Sequence, residues 1–162
     1  MIKIRKTEIM DRPEIQSVLI NTDYFTVQEI EIAMELVDIY LCNKNQQDYK
    51  LYTAVAESKI VAGYICFGKI PLTQGTYDIY WVAVSPEYQG RGIGTLLLNK
   101  AEDTIIKLHG NLICIETSSS KKYDSTRRFY KKRGYILESR IRDFYRPGDD
   151  RLLFIKYTNS FH

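Results

Sequence analysis

The stretch TYDIYWVAVSPEYQGRGIGTLLL, residues 76–98, decides the fold of this chain. Ile79–Val84 is a run of apolar, aromatic and β-branched residues, which is typical of a buried strand. Pro86 ends that strand, because proline cannot donate to a strand ladder. The glycine-rich segment Gln89–Gly94 follows, and a helical pattern begins directly after it. A strand, a tight glycine loop and a helix N-terminus together predict an anion site, because unpaired N–H groups and the positive end of the helix dipole point the same way.

Two common phosphate-binding patterns do not fit this loop. A P-loop needs lysine and then serine or threonine after its last glycine, whereas Gly94 is followed by Thr95 and Leu96. The dinucleotide pattern needs a third glycine and an acidic residue at the end of a second strand, and neither is correctly placed. The anion is therefore held by a different kind of glycine loop.

The spacing Gln-x-x-Gly-x-Gly, from Gln89 to Gly94, after the strand Trp81–Val84 resembles the GNAT acetyltransferase superfamily. In that family the loop holds the pyrophosphate of acetyl-CoA. The resemblance implies acetyl-CoA as the acyl donor and no metal ion. It also implies a set of loop residues that contact the donor: Gln89, Gly90, Arg91, Gly92, Ile93, Gly94 and Thr95.

A second stretch, RFYKKRGY at residues 128–135, strengthens the resemblance. GNAT proteins often have an aromatic residue and a tyrosine, a few polar residues, and then glycine and an aromatic residue. The tyrosine of that pattern, which commonly protonates the departing CoA sulfur, corresponds to Tyr130. A thiolate with a pKa of roughly 8.5 can accept a proton or hydrogen bond from a phenol with a pKa of about 10.

A catalytic base is expected, because the acceptor amine must be neutral to attack the thioester. Counted back from Gln89, Asp78 falls where the histone acetyltransferase branch has its glutamate. The shorter aspartate favours a water relay. Glu116 is the competing candidate, since it resembles the strand-end glutamate of ribosomal-protein acetyltransferases if the loop after it carries a two-residue insertion. We prefer Asp78.

The family resemblance also implies a place for the negative charge that develops on the thioester oxygen. In this fold the donors are backbone N–H groups of the central strand, which diverges from its neighbour to admit the pantetheine arm. The donors are expected near Val82 and Val84, and they would act by electrostatic preorganisation.

Length and composition indicate one globular domain spanning residues 1–162. Apolar residues make up 44% of the chain and charged residues 27%, which is ordinary for a soluble protein. Cys42, Cys66 and Cys114 form no C-x-x-C pair, so neither a disulfide framework nor a zinc site is predicted, and each is expected in the core. The sequence predicts neither a leader nor a bilayer span, and a cytoplasmic location is the expectation.

The predicted order is strand, two helices, three strands, helix, strand, helix, two strands. It corresponds to the GNAT order and implies a mixed α/β fold, with a mostly antiparallel central sheet and helices on both faces. Four local predictions can be tested against the structure. Capping boxes are expected at Asp11/Glu14 and Thr26/Glu29, a helix ending at Gly110 is expected to bury Leu108, and residues 143–150 are expected to form a long loop.

Charge is unevenly distributed although the net charge is only +3. Residues 8–48 contain 9 acids and 2 bases, whereas residues 121–146 contain 10 bases and 3 acids. The acidic segment includes helix residues next to the expected acceptor groove: Glu29, Glu31, Glu35 and Asp38. This pattern predicts a cationic acceptor amine, with the basic segment favouring the polyanionic CoA.

The sequence therefore predicts an acetyl-CoA-dependent N-acetyltransferase that acts on a small-molecule or peptide amine, as a monomer or homodimer. The alternative is a non-catalytic acyl-CoA sensor on the same fold. A nucleic-acid binder is disfavoured, because the charge is balanced and no recognised motif is present. Neither a nucleic acid nor a membrane is expected as a partner. The serine run at 118–120 is interpreted as a loop rather than as a catalytic nucleophile.

Overall fold

A computed structural model of the chain describes residues 1–57 and 59–158. The last four residues of the predicted domain lie outside this part, as does Ser58, which follows the second strand in the sequence. Within the described residues, seven strands form one sheet: β1 (Ile2–Lys6), β2 (Lys50–Ala56), β3 (Val61–Lys69), β4 (Thr76–Val84), β5 (Leu112–Ser118), β6 (Ile136–Arg146) and β7 (Asp149–Tyr157). Four α-helices accompany them: α1 (Arg12–Asn21), α2 (Val27–Cys42), α3 (Ile93–Lys107) and α4 (Asp124–Lys132).

The strands lie in the order β1-β2-β3-β4-β5-β7-β6. Every neighbouring pair is antiparallel except β4 and β5, which are parallel. The order of strands and helices along the chain is the predicted one, and the predicted mixed, mostly antiparallel fold is confirmed.

Two apolar layers cover the two faces of the sheet. On one face α3 packs on the strands through Ile93, Leu97 and Ile105, and the layer continues into Tyr130 and Phe154. On the other face α1 and α2 contribute a second layer over β2, β3 and part of β4. The members of this second layer that α1 and α2 bury are Ile15, Val18, Leu19, Ala33, Met34 and Val37. Helices therefore lie on both faces, as the sequence predicts.

One predicted capping box is present and the other is not. The Thr26 side chain accepts from the amide of Glu29, and the Glu29 carboxylate accepts from the amide of Thr26. The prediction of a capping box at Asp11 and Glu14 was wrong. Asp11 instead accepts from Arg5 and from the backbone before α1, and Glu14 accepts from the amide of Val61 at 2.7 Å.

The end of α3 also differs from the prediction. The helix ends at Lys107, Leu108 is 45% exposed, and His109 takes the left-handed conformation expected of a glycine. Gly110 is needed for space, since an added Cβ would lie 2.8 Å from the ring of Tyr77 and 2.4 Å from Ile105.

The C-terminal hairpin is longer than predicted. Residues 143–146 and 149–150 belong to β6 and β7, so the predicted loop shrinks to the turn at Pro147-Gly148. Polar contacts hold this outer part together: the amide of Asp143 donates to Asp150, and the amide of Gly148 donates to Asp143. Cys66 and Cys114 are buried as expected, whereas Cys42 at the end of α2 is exposed, which corrects the prediction for that thiol.

Candidate active site

The sheet opens between β4 and β5. These strands pair in parallel only between Thr76–Ile79 and Leu112–Ile115. Beyond this point β4 continues along β3 to Val84, and β5 continues along β7 to Ser118, without pairing with each other. A gap lined by the backbones of both strands therefore enters the sheet from their carboxyl ends.

The register of β4 fixes which of its amides face this gap. The amide of Ser85 donates to the carbonyl of Ala62 on β3 at 2.8 Å. In an antiparallel pair, alternate residues bond to the same neighbour. The amides of Val82 and Val84 therefore point away from β3 and toward the gap, where the sequence expects donors.

A glycine loop lies at the mouth of the gap. Gly90 and Gly92 have φ of +73° and +76°, which is backbone that only glycine adopts readily. A Cβ added to either residue would meet no atom within 4 Å. Their conformation is therefore required by the path of the loop, and the face of the loop is open to a ligand.

The first turn of α3 adds unpaired amides to this open face. Gly92 is the N-cap and supplies no side chain, and the first turn contains no acidic residue. The amide of Leu96 is bonded to the carbonyl of Gly92. The amides of Ile93, Gly94 and Thr95 precede it and have no partner inside the helix. The helix dipole is positive at this end, so the loop and helix favour an anion.

Side chains fix the loop in place. The Gln89 amide nitrogen donates to the carbonyl of Val84 at 3.2 Å and so ties the loop to the end of β4. Arg91 lies over the ring of Tyr88, 5.2 Å from its centroid. The ring of Phe129 on α4 lies 3.6 Å from the position of a Cβ on Gly94. The side chain of Phe129 therefore packs beside the start of α3.

Asp78 lies beside the inner end of the gap, one pair before the last parallel contact. Its carboxylate forms no hydrogen bond or ion pair with any residue in the described part of the chain. Burial, and to a lesser extent the nearby Glu116, raise the pKa of Asp78 to about 6, while Arg151 opposes the shift. An unpartnered carboxylate with this pKa is suited to accept a proton near neutral pH.

Glu116 lies on the same face of the sheet but is already engaged through both oxygens. The hydroxyl of Tyr145 donates to Oε1 at 2.8 Å, and the Nε atom of Arg151 forms an ion pair with Oε2 at 2.8 Å. The Arg151 guanidinium in turn lies over the ring of Phe144, 5.6 Å from its centroid. Of the two candidate bases, only Asp78 therefore has an unengaged carboxylate.

Tyr130 lies on the opposite face of the sheet. Its ring is buried between those of Phe129, Tyr135 and Phe154, with centroids 5.7, 6.0 and 6.2 Å away. Its hydroxyl makes no hydrogen bond within residues 1–57 and 59–158. Burial, followed by the nearby Tyr123, raises the pKa of Tyr130 above its ordinary value, so the phenol keeps its proton at neutral pH.

The serine run after β5 is a structural loop. Ser118 donates to Asp149, the hydroxyl of Ser119 accepts from the amide of Asp150, and the carbonyls of Ser118 and Ser120 accept from Arg127. Every one of these contacts ties the end of β5 to β7 or α4. The interpretation of this run as a loop agrees with the structure at Ser119 and Ser120, whereas Ser118 is the last residue of β5.

Among the described residues, no group of three or more His, Cys, Asp or Glu side chains could hold a metal ion. None of the helices of the described residues is long and apolar enough to cross a membrane.

Residues 47–137, more than half of the chain, match the acetyltransferase (GNAT) domain family. The chain belongs to the GNAT acetyltransferase family. A relative from Bacillus subtilis, S-(2-succino)cysteine N-acetyltransferase, is 28% identical over 110 residues, which cover 66% of this chain and 67% of the relative.

Solved structures agree with this membership. A GNAT-family protein of Desulfovibrio desulfuricans is 35% identical, with a TM-score of 0.94, and the alignment covers 98% of this chain and all of that one. The PaiA N-acetyltransferase of Thermoplasma acidophilum, solved in complex with coenzyme A, has a TM-score of 0.72 at 21% identity and covers 97% of this chain and 99% of its own. At that identity the second likeness shows the GNAT fold alone.

The predicted GNAT residues gather around the gap, but they do not share one face. The glycine loop lies at its mouth, Asp78 and Glu116 lie on the face that α1 and α2 partly cover, and Tyr130 lies on the other. Sequence reasoning missed Arg151, Tyr145 and Phe144, which surround Glu116. The sequence predicts a loop at 143–150, whereas in the structure β6 and β7 extend through most of this stretch and bring the three residues to Glu116.

The acidic helix residues are less available than the sequence suggests. Glu29 is used in the capping box, and Asp38 is held by the guanidinium of Arg12 at 2.5 Å. Glu31 and Glu35 are exposed on α2. The prediction of a cationic acceptor rests on four carboxylates, and two of them therefore already have partners in the fold.

Proposed function

We propose that this protein binds acetyl-CoA in the gap between β4 and β5 and transfers the acetyl group directly to a primary amine, without a covalent enzyme intermediate. The observation that carries the proposal is a gap with an open anion-binding loop at its mouth and an unpartnered carboxylate, Asp78, at its inner end. Membership of the GNAT family and the coenzyme A bound to the Thermoplasma acidophilum protein support the choice of donor.

The donor would lie along β4. Its pyrophosphate would accept hydrogen bonds from the loop between Gln89 and Thr95, where the helix dipole also favours negative charge. Its pantetheine arm would enter the gap. The amides of Val82 and Val84, which face the gap, would stabilise the charge that develops on the thioester oxygen.

Asp78 is the proposed general base. With a pKa of about 6 it is mostly ionised at pH 7, so it can accept a proton from the acceptor ammonium, either directly or through a water. Glu116 fits this role less well, since Tyr145 and Arg151 already occupy both of its oxygens.

Tyr130 is the proposed general acid. The neutral amine attacks the thioester carbon and forms a C–N bond, and the tetrahedral intermediate collapses by breaking the C–S bond. The departing thiolate takes a proton or hydrogen bond from the phenol of Tyr130, and the proton lost by the amine goes to Asp78. The products are an N-acetylated amine and free CoA.

Two classes of acceptor amine have support. The cationic acceptor expected from the sequence stays a prediction, supported by the exposed Glu31 and Glu35. The Bacillus subtilis relative is named for the acetylation of S-(2-succino)cysteine, which supports an amino acid as a further candidate. A panel of amines that contains polyamines, peptides, amino acids and aminoglycosides addresses both.

The experiment that tests the function combines binding and turnover. Calorimetry with acetyl-CoA, followed by thiol release in the presence of the amine panel, should give stoichiometric binding and acceptor-dependent CoA release. Mass spectrometry should find the acetyl group on the amine. Tight binding without transfer to any amine would favour the acyl-CoA sensor, and no binding would contradict the proposal.

A further inference from the structure

The guanidinium of Arg151 lies close to the proposed chemistry but takes no part in it. Arg151 is paired across the sheet with Ser118, on the face that carries Asp78 and Glu116. Its charge partly opposes the rise in pKa that burial causes at Asp78 and at the thiol of Cys114, so it lies within electrostatic reach of the inner end of the gap.

The contacts of Arg151 orient its guanidinium and leave both Nη groups unused. Glu116 forms an ion pair with Nε, and the ring of Phe144 lies beneath the guanidinium plane. Glu116 is itself fixed by the hydroxyl of Tyr145. Within the described part of the chain, neither Nη group of Arg151 donates a hydrogen bond, and the side chain is 27% exposed.

A guanidinium in this situation is prepared for a ligand. Its five donors form a rigid planar fork that matches a carboxylate in a bidentate arrangement. Because Phe144 and Glu116 restrict its orientation, little side-chain entropy remains to be lost when a carboxylate binds. The helices α1 and α2 cover β2, β3 and part of β4, so they leave this region over β5 and β7 open.

We infer that Arg151 binds a carboxylate of the acceptor, and that the acceptor is therefore an amino acid or another small amine bearing a carboxylate close to its amino group. The inference rests on the acetyl transfer proposed above. The acceptor ammonium would lie toward Asp78 and its carboxylate toward Arg151. A zwitterionic acceptor therefore has one charged group for Asp78 and another for Arg151. A simple amine has no carboxylate and leaves the Nη donors of Arg151 unused.

The test compares acceptors that differ only in the carboxylate. Amino acids are assayed against their carboxamides and against the corresponding decarboxylated amines, at pH 8.5 so that Asp78 is ionised throughout. Wild type should favour the acid over its amide by about 10- to 100-fold in kcat/KM, the scale of a charge-assisted hydrogen bond.

Arg151→Gln should abolish this preference. KM for the acid should rise, while kcat/KM for the amide and the affinity for acetyl-CoA should stay within about threefold of wild type. Arg151→Lys, which keeps the charge but loses the fork, should restore part of the preference. Arg142→Gln is the matched control, because Arg142 is an exposed arginine on the same hairpin and should leave all acceptors unaffected.

Outcomes that overturn the inference are distinct from those that overturn the proposed function. If acetyl transfer occurs but amides or polyamines serve as well as amino acids, Arg151 does not read a carboxylate. A polyamine preference that weakens with salt would support the cationic acceptor instead. If Arg151→Gln does not fold, the wild-type comparison of acid and amide still decides. Failure of acetyl-CoA to bind at all would overturn the proposed function.

Discussion

Asp78 and Tyr130 lie on opposite faces of the sheet, on either side of the gap between β4 and β5. Asp78 is on the face partly covered by α1 and α2, and Tyr130 is buried on the face of α3. A base and an acid in these positions allow the amine to approach from one face while the thiolate receives a proton from the other. This separation is consistent with direct transfer.

The first prediction concerns pH. Because Asp78 must be ionised to act as a base and has a pKa of about 6, kcat/KM should rise with pH through an inflection near pH 6. The Asp78→Asn enzyme should lack this inflection and be slower above it. The measurement is a pH profile of kcat/KM at fixed ionic strength.

Two neighbours should move this inflection in opposite directions. Glu116 raises the pKa of Asp78 and Arg151 lowers it, so Glu116→Gln should shift the inflection to lower pH and Arg151→Gln to higher pH. If Asp78→Asn is fully active and Glu116→Gln is inactive, the assignment of the base is reversed.

The second prediction concerns stability. The pKa of Asp78 is raised above its value of 3.8, so the folded state binds the proton more tightly than the unfolded state. Stability is therefore lost as pH rises from about 4 to about 6. Asp78→Asn should remove this loss and raise the free energy of unfolding at pH 7 by about 1–3 kcal/mol, as the size of the shift implies. Urea unfolding at pH 4 and pH 7 measures it.

Asp38→Asn provides the control of opposite sign. The guanidinium of Arg12 lowers the pKa of Asp38, so this carboxylate stabilises the fold above pH 4. The variant should therefore be less stable than wild type at neutral pH and similar to it in acid. A loss of stability at pH 7 in Asp78→Asn would contradict the account of that residue.

The third prediction concerns the departing thiolate. Tyr130→Phe should lower kcat by roughly 10- to 1,000-fold with little change in acetyl-CoA affinity, since only a positioned acid is lost. The hydroxyl of Tyr130 has no hydrogen-bond partner among the described residues, so stability should change little.

Tyr135→Phe is the matched control for this variant. Its hydroxyl lies on the same layer but donates to the buried Glu102 at 2.9 Å. Removing it should cost about 1–3 kcal/mol of stability, because a buried acceptor loses its donor, and should leave kcat nearly unchanged. Equal kcat losses in the two variants would remove Tyr130 from the chemical step.

The order of strands and helices could be predicted from the sequence because it depends on local patterns. The glycine loop before a helical pattern and the Thr26/Glu29 capping box need only neighbouring residues, and both are present. The Asp11/Glu14 box failed because tertiary partners, Arg5 and the amide of Val61, took both carboxylates.

The candidate site could be predicted only in part for the same reason. Asp78 and the loop lie within one stretch of sequence, so their spacing could be compared with a family pattern. The cluster at Glu116 depends on the register of β5 with β7 and on the length of the last hairpin. Residues 143–150, with three aspartates and Pro147-Gly148, resemble a loop in sequence, and nothing local shows that Arg151 faces Glu116.

The fourth prediction tests the central claim, that acetyl-CoA binds with its pyrophosphate on the glycine loop. Gly92 and Gly148 have φ of +76° and +80°, and a Cβ added to either meets no atom within 4 Å. Alanine at each position should therefore cost a similar amount of stability, about 1–2 kcal/mol. Only at Gly92 would the new methyl group stand between the backbone and a phosphate.

The most direct measurement is a calorimetric titration of wild type, Gly92→Ala and Gly148→Ala with acetyl-CoA, with the fold of each checked by circular dichroism. We expect wild type and Gly148→Ala to bind with equal affinity and Gly92→Ala to bind at least tenfold more weakly. Unchanged affinity in a folded Gly92→Ala protein, or no binding by wild type, would contradict the account.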